Sequence, residues 1–360
     1  MMMQRFSMPA SGLPQAAARL LGEFDEFIAP VCDRYGETFF APVTDARQIP
    51  REWGNSLLSP VAYLYPPRET LFGFELVEGE PPRLNSALDE RSRAIFGIRP
   101  CDTHAIEYLD RFLLEGEFAD TQYQARRRNT KLITVACAEP AAETCWCSCS
   151  DAGPVAEGGF DAQLTRVGNL MLVEVAESGM FVAEAWGDLL QPAGEELLNR
   201  RDQQAEAVRQ ELETRAHLAS AMRRVTAGAL PDEFWQELGA RCMGCAGCSL
   251  VCPKCTCFNV VDEMLTDTTG RRERIKDSCR LAGYSLEASG HNPRATPADR
   301  AKRWSYHKLS HHYFERNEDH GCVGCGRCVA VCMGGVDMVY AATRAREADR
   351  DATPAAADQR

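Results

Sequence analysis

The residues with the clearest capacity for chemistry are cysteines, 17 of them in a chain of 360. Cys242-x2-Cys245-x2-Cys248-x3-Cys252-Pro253 is answered by Cys322-x2-Cys325-x2-Cys328-x3-Cys332. Three thiolates spaced this way can wrap one cuboidal cluster, with Gly244, Gly247, Gly324 and Gly326 allowing the tight turns. The fourth cysteine falls on the following helical turn and faces away, so in a two-cluster arrangement it serves the other cluster. This pairs Cys242, Cys245 and Cys248 with Cys332, and Cys322, Cys325 and Cys328 with Cys252, as ligands of two [4Fe-4S] clusters. The competing reading is a pair of structural zinc sites in a scaffold without redox activity. Zinc usually takes paired CxxC units rather than runs of four. Met333 follows Cys332 where a proline is usual; proline is not a ligand, so the expected consequence is altered packing and a shifted potential.

A second group lies in the first half. Cys101 sits just before an expected helix N-terminus, where the dipole favours a thiolate or an anionic cluster. Cys137 ends the next expected strand, and Cys145-Trp146-Cys147 offers two more thiolates with an indole to shield them. Cys101, Cys137, Cys145 and Cys147 could therefore hold a third iron–sulfur cluster outside the ferredoxin pattern; the alternatives are buried free thiols or a zinc site. Cys149 could substitute for either neighbour, and Cys32 reads as core. Cys255, Cys257 and Cys279 are either part of a further site or ordinary buried cysteines. Of the histidines, His307, His311, His312 and His320 have no acidic partners at metal spacing and read as a solvated or partner-facing loop. His104 is placed beside Cys101, either bonded to a cluster sulfur or exposed.

The elements that must position these residues are legible in outline. Ala94–Ile98 reads as a buried strand, followed by a helix with Ile106, Leu109 and Leu113 at helical spacing and Asp102 or Thr103 as its cap. Leu132–Ala136 is a second strand, so two cysteines stand at the carboxyl ends of a strand–helix–strand unit. Gly168-Asn169 between Gln163–Val167 and Leu170–Val175 signals a two-residue hairpin. From about Glu195 to Val225 the chain is helical, but Arg201 and Arg215 interrupt the heptad seam and favour a surface helix with one packing stripe. The fold class expected is α+β. A mixed α/β module over 1–185 is followed by a helical connector over 186–238. A two-cluster ferredoxin-like domain over 239–340 carries a long insert at 256–320, and 341–360 form a disordered tail.

Composition narrows the function classes. The net charge of −12 speaks against nucleic acid as a partner. Mean hydropathy is −0.32 and no apolar run reaches membrane-spanning length. The first residues lack the features of a secretory signal, and so many cysteines outside a disulfide frame suit a reducing compartment, so the expected location is cytoplasmic. Between Arg271 and Lys308 there are ten Lys/Arg and four Asp/Glu, a local +6 that could dock an acidic partner. No GxxxxGK[ST] loop, nucleophile elbow or HExxH helix is present, so no substrate site is expected on this chain.

The motifs also carry a resemblance. Ile98-Arg-Pro-Cys-Asp102, Thr144-Cys-Trp-Cys147 with Gly153-Pro154, Cys248-Ser-Leu-Val-Cys-Pro253, Asp277-Ser-Cys279, Gly290-His-Asn292 and Gly321-Cys-Val-Gly-Cys-Gly-Arg-Cys328 occur in that order. Over about Val61 to Asp337 the chain resembles the iron–sulfur β subunit of sulfhydrogenase-type, NAD(P)-linked [NiFe] hydrogenases. It is similar also to the corresponding iron–sulfur subunit of anaerobic sulfite reductase. The resemblance implies an electron-transfer subunit of a multi-subunit oxidoreductase, relaying electrons between a partner that binds flavin and NAD(P) and another that carries the catalytic metal. The alternative it leaves is the equivalent subunit of a sulfite or sulfur-compound reductase. The chain departs from the pattern at Met333 and at the extra Cys149.

Overall fold

The computed structural model describes residues 3–348. The chain divides into two compact units that do not follow chain order: Met1–Glu143 with Ala152–Glu211 and Phe258–Lys276, and Thr144–Asp151 with Leu212–Cys257 and Asp277–Arg360.

The first unit holds every described strand. These are β1 (Gln4–Pro9), β2 (Glu26–Cys32), β3 (Thr38–Pro42), β4 (Arg68–Glu75), β5 (Arg83–Ser86) and β6 (Arg93–Ile98). The set is completed by β7 (Thr130–Val135), β8 (Ala162–Val167), β9 (Leu170–Val175), β10 (Gln191–Pro192), β11 (Phe258–Met264) and β12 (Thr269–Lys276). Its helices are α1 (Leu13–Leu20), α2 (Pro100–Leu114), α3 (Thr121–Arg128), α4 (Met180–Trp186) and α5 (Glu195–Leu212). Eight strands form one sheet in the order β10-β1-β9-β8-β7-β6-β2-β3, with β2, β6, β7 and β8 mutually parallel. Every residue of β6 is buried, as a central parallel strand covered on both faces requires. Phe96, Ile133 and Leu164 turn to α1 and α4, where Ala16, Leu20, Val182 and Trp186 complete the core. Thr134, on the opposite face by alternation, meets Thr103 of α2 at 2.8 Å between hydroxyls.

The expected strand–helix–strand unit and the hairpin at Gly168-Asn169 both form. The helix after β6 starts three or four residues earlier than the capping signal suggested. Pro100 occupies its first turn and Arg99 its N-cap; Asp102 instead lies buried inside the turn, accepting from Ser59 Oγ at 2.7 Å. Cys32 is exposed rather than core, because it ends β2 where the chain turns out toward β3. Arg201, which spoils the heptad, is used by the fold: α5 buries it against Glu174 of β9 at 2.6 Å, beside Leu197 on Val167 and Leu172.

A second sheet, β11-β12-β4-β5, also belongs to the first unit. The hairpin β11–β12 comes from between the two cysteine runs and is locked there by buried charge. The Glu69 carboxylate lies between Arg126 of α3 and Arg274 of β12, and Arg274 also pairs with Asp120.

The second unit is helical: α6 (Leu218–Thr226), α7 (Asp232–Arg241), α8 (Gly247–Leu250), α9 (Pro297–Leu309), α10 (His311–Asn317), α11 (Arg327–Val331) and α12 (Met338–Glu347). Phe234, Trp235, Leu238, Trp304, Met338 and Ala342 are in its core. A side chain at Gly239 would meet Ala298 N at 2.6 Å, so glycine lets α7 touch the start of α9. The disordered tail expected from 341 does not hold over its first residues, since α12 continues to Glu347 and buries Ala341, Ala342 and Ala345. Residues 349–360 of that expectation lie outside the described residues. Among the described residues no helix is long and apolar enough to cross a membrane.

Candidate iron–sulfur sites

Each cysteine run is a loop feeding a short helix. In the second run, Gly324 and Gly326 take positive φ, at 59° and 76°. A side chain there would strike the Trp146–Cys147 backbone at 2.6 Å and the Thr144 carbonyl at 2.2 Å, because residues 144–147 lie directly on this loop. Trp146 N donates to the Gly324 carbonyl at 2.8 Å. In the first run the left-handed positions are Gly244 and Ala246, and nothing lies within 4 Å of where a Gly244 side chain would start. Gly247, expected as a turn residue, is not among the positive-φ residues; Ala246 takes that conformation instead. The two loops thus repeat one backbone, one covered and one open.

The second set is interior. Cys248, Cys252, Cys322, Cys325 and Cys328 line one small cavity together with Trp146, Trp304, Val323 and Met338. Four of these, Cys252, Cys322, Cys325 and Cys328, are the ones that spacing groups together, and Cys248 comes from the other expected set. Burial pushes the Cys322 thiol up to about 12 and the Cys328 thiol well above the ordinary range. Thiolates here therefore need compensating positive charge, which iron would supply. The fold adds more. Lys308 Nζ lies 3.4 Å from Cys252 Sγ, and its charge opposes the upward shift at Cys322. Lys254 is fully buried, donating to Asp319 at 2.6 Å and to the His320 carbonyl at 2.8 Å. Burial lowers its pKa to about 8, with Asp319 opposing.

The first set faces outward. Cys245 is exposed, and Met243 in the same loop and Met333 after Cys332 are 66% and 84% exposed. Arg280 reaches Cys242 Sγ at 3.0 Å, and the Gly244 amide donates to the same sulfur at 3.4 Å. Burial raises Cys248 to about 11, with Arg280 opposing. Val336 N donates to Cys332 Sγ at 3.2 Å. The turn after Cys332 packs on Arg241, where a Gly334 side chain would meet the Arg241 carbonyl at 2.3 Å; this sets Cys332 beside the start of the first run. Short helices α8 and α11 pack on one another, relating the two runs.

The donor chemistry and the thiol-lined cavity fit iron–sulfur clusters. Among the described residues no three Cys, His, Asp or Glu side chains converge on a single metal ion.

Cys101, in the first turn of α2, and Cys137, just after β7, belong to the first unit; Cys145 and Cys147 belong to the second. Cys145 and Cys147 are buried, and Cys145 Sγ lies 3.9 Å from the Cys325 carbonyl. Burial raises Cys137, and Arg99 opposes the shift by charge and a hydrogen bond to sulfur. Cys149 is occupied otherwise: its thiol donates to the Leu212 and Glu213 carbonyls at 3.2 and 3.1 Å, stopping the end of α5. The Cys279 thiol donates a hydrogen bond to Cys257 sulfur, and Tyr284 donates to the same sulfur. Those bonds hold Cys257 near 5 and push Cys279 up.

Sequence reasoning misses Arg280, Lys308 and Lys254 as parts of the site. Arg280 directly follows the Asp277-Ser-Cys279 motif, which is a signal. Lys308 counts toward a docking surface in the sequence, yet several of the basic residues there are engaged within the chain, and Arg274, Arg280 and Lys308 are buried. Arg271, Arg272 and Arg274 pair with Glu263, Asp262 and Glu69, and Arg280 and Lys308 meet cysteine sulfur. His307, expected in a solvated loop, is buried and stacked on Tyr313 with ring centroids 4.1 Å apart. His311 and His312 are exposed beside Glu315.

Residues 241–336 match the 4Fe-4S dicluster domain family. The chain is 28% identical over 330 residues to sulfhydrogenase 2 subunit beta of Pyrococcus furiosus, an alignment covering 91% of this chain and 94% of that protein. The resemblance seen in the motifs therefore extends along nearly the whole chain.

Proposed function

We propose that this chain is the iron–sulfur electron-transfer component of a multi-subunit hydrogenase, relaying electrons between a partner that binds flavin and NAD(P) and a catalytic [NiFe] partner. The observation that carries this reading is the pair of cysteine sets, one interior and one at the surface, in a chain similar to a sulfhydrogenase β subunit over 91% of its length. When bound, [4Fe-4S] clusters accept and release single electrons. The protein's own part is to hold thiolates, exclude water and set the local charge. Cys242, Cys245, Cys248 and Cys332 would hold the outer cluster, and Cys322, Cys325, Cys328 and Cys252 the inner one. Lys308 and Arg280 stabilise negative charge on the sulfurs they touch. Trp146 and Trp304 keep solvent from the inner set, while the exposed Cys245 leaves the outer set open to a partner.

A third cluster on Cys101, Cys137, Cys145 and Cys147 is part of the proposal. Support comes from the burial of Cys145 and Cys147 on the loop that carries Cys325.

Iron and acid-labile sulfide per chain, with reduced-state EPR on anaerobic protein, test the reading. About twelve irons are expected with the third cluster and about eight without it. Zinc in place of iron would overturn it. Cys242→Ser and Cys325→Ser should each remove or perturb one cluster; full cluster content in both would mean the ligand sets are wrong. Among copurifying subunits, nickel is expected, and sirohaem would move the assignment to sulfite reduction.

A further inference from the structure

The first unit contains a cleft of about 870 Å³ at the carboxyl ends of β6 and β7, unrelated to the two ferredoxin cysteine sets. In open sheets this is where ligands settle, and the volume suits a small-molecule site. Its chemistry is specific. Arg99, only 9% exposed, lines it, and among the described residues no carboxylate pairs with this guanidinium. One edge of Arg99 is committed, donating to the Trp53 carbonyl and to Cys137 sulfur. Its Nε is buried without a hydrogen-bond partner, and so is the indole Nε1 of Trp53, which also lines the cleft. Gly97 holds that indole in place: at φ +81° it brings the backbone so close that a side chain would meet Trp53 Cζ2 at 2.8 Å. The Arg99 guanidinium lies 5.1 Å over the Trp53 ring. Arg51 and Arg166 add positive charge at the rim, Arg166 shared with Glu52 at 2.6 Å, and Glu139 is the other acid there.

A buried cation without a carboxylate, next to two unsatisfied donors, is costly unless something anionic completes it. From this we infer that the cleft binds a small oxyanion-bearing molecule of about nucleotide size, its phosphate or carboxylate received by Arg99 and Arg51. This is a site for a soluble ligand on a chain otherwise read as a conduit; it does not depend on the two ferredoxin clusters, and it shares only Cys137 with the proposed third one.

Isothermal titration of the anaerobic, cluster-loaded protein at low salt with adenosine monophosphate, inorganic phosphate and malate tests it. Binding of at least one is expected, with phosphate and malate separating the two head groups and adenosine as the uncharged control. Arg51→Gln, at an exposed position that leaves folding intact, and Arg99→Gln should each weaken binding at least about tenfold. Iron content should be unchanged in Arg51→Gln. No heat from any of the three anions at millimolar concentration overturns the inference. So does binding that Arg51→Gln leaves unaltered, or adenosine binding as tightly as its monophosphate. Because iron is counted on the same samples, a failed cluster assignment would register separately.

Discussion

At the scale of single residues, charge near sulfur is the main lever. Lys308 and Arg280 touch one cysteine from each set, so each should raise the potential of the cluster it faces by favouring the more negative, reduced form. A unit charge several ångströms away at an effective dielectric of about 20 contributes on the order of 1–3 kcal/mol. For one electron that is on the order of 40–130 mV. Lys308→Met should lower the potential of the interior cluster by about that amount and leave the outer one nearly unchanged; Arg280→Met should do the reverse. Redox titration followed by EPR decides this, and equal shifts in both would refute the separation of the sets. His307 makes a second test. Burial holds it neutral, with a pKa near 2 in the fold against an ordinary 6.5. Below pH 6.5 the unfolded chain therefore binds a proton that the native one refuses. Stability falls as pH drops, by up to about 1.4 kcal/mol per pH unit from this group alone. His307→Phe, which keeps a ring against Tyr313, should flatten the difference between denaturation midpoints at pH 7.5 and 5.5.

At the scale of elements, the two cysteine loops repeat one backbone under different neighbours. In the second loop the covering segment 144–147 leaves no room for a side chain, so Gly326→Ala should perturb or empty the interior site. In the first, Ala246 already sits at φ 62°. Ala246→Gly should therefore stabilise the chain, by about 1 kcal/mol, while iron content stays the same. Thermal melts and iron analysis of the two variants check both signs. The hairpin β11–β12 has its own lock. Arg274→Met would leave Glu69 and Asp120 with less than their full pairing in a buried setting, at a cost of about 3–5 kcal/mol. Guanidinium unfolding would register that loss; a change under about 1 kcal/mol would show the network to be dispensable.

At the scale of the whole molecule, the asymmetry between an exposed Cys245 and a walled-in interior set should be visible as kinetics. A ferrous chelator should remove iron in two phases, the faster one absent from Cys242→Ser. A single phase would mean that both sets are equally open. The same asymmetry gives Met333 a physical reading. It is strongly exposed in the turn that packs on Arg241, so its side chain belongs to the surface around the outer set and not to the core.

The cysteine spacing alone pointed to a dicluster domain and to the eight thiols proposed as its ligands, because a cluster needs its ligands at fixed separations along a tight loop, a local property. The strands ending at Cys101 and Cys137, the hairpin at Gly168 and the fold class were legible for the same reason: periodicity and turn chemistry act over a few residues. What the tertiary structure decided was long-range. Only the fold could say that Lys308, 56 residues from Cys252, would neutralise its sulfur, or that Arg274 and Arg280 of the basic insert would be buried. Only the fold could turn Cys149 into a helix stop and bury His307. It was likewise the fold that gave the hairpin 258–276 to the first unit, and that left Arg99 without a carboxylate inside a cleft. Burial and the choice of partner among distant charges are set by packing, and no window of sequence contains them.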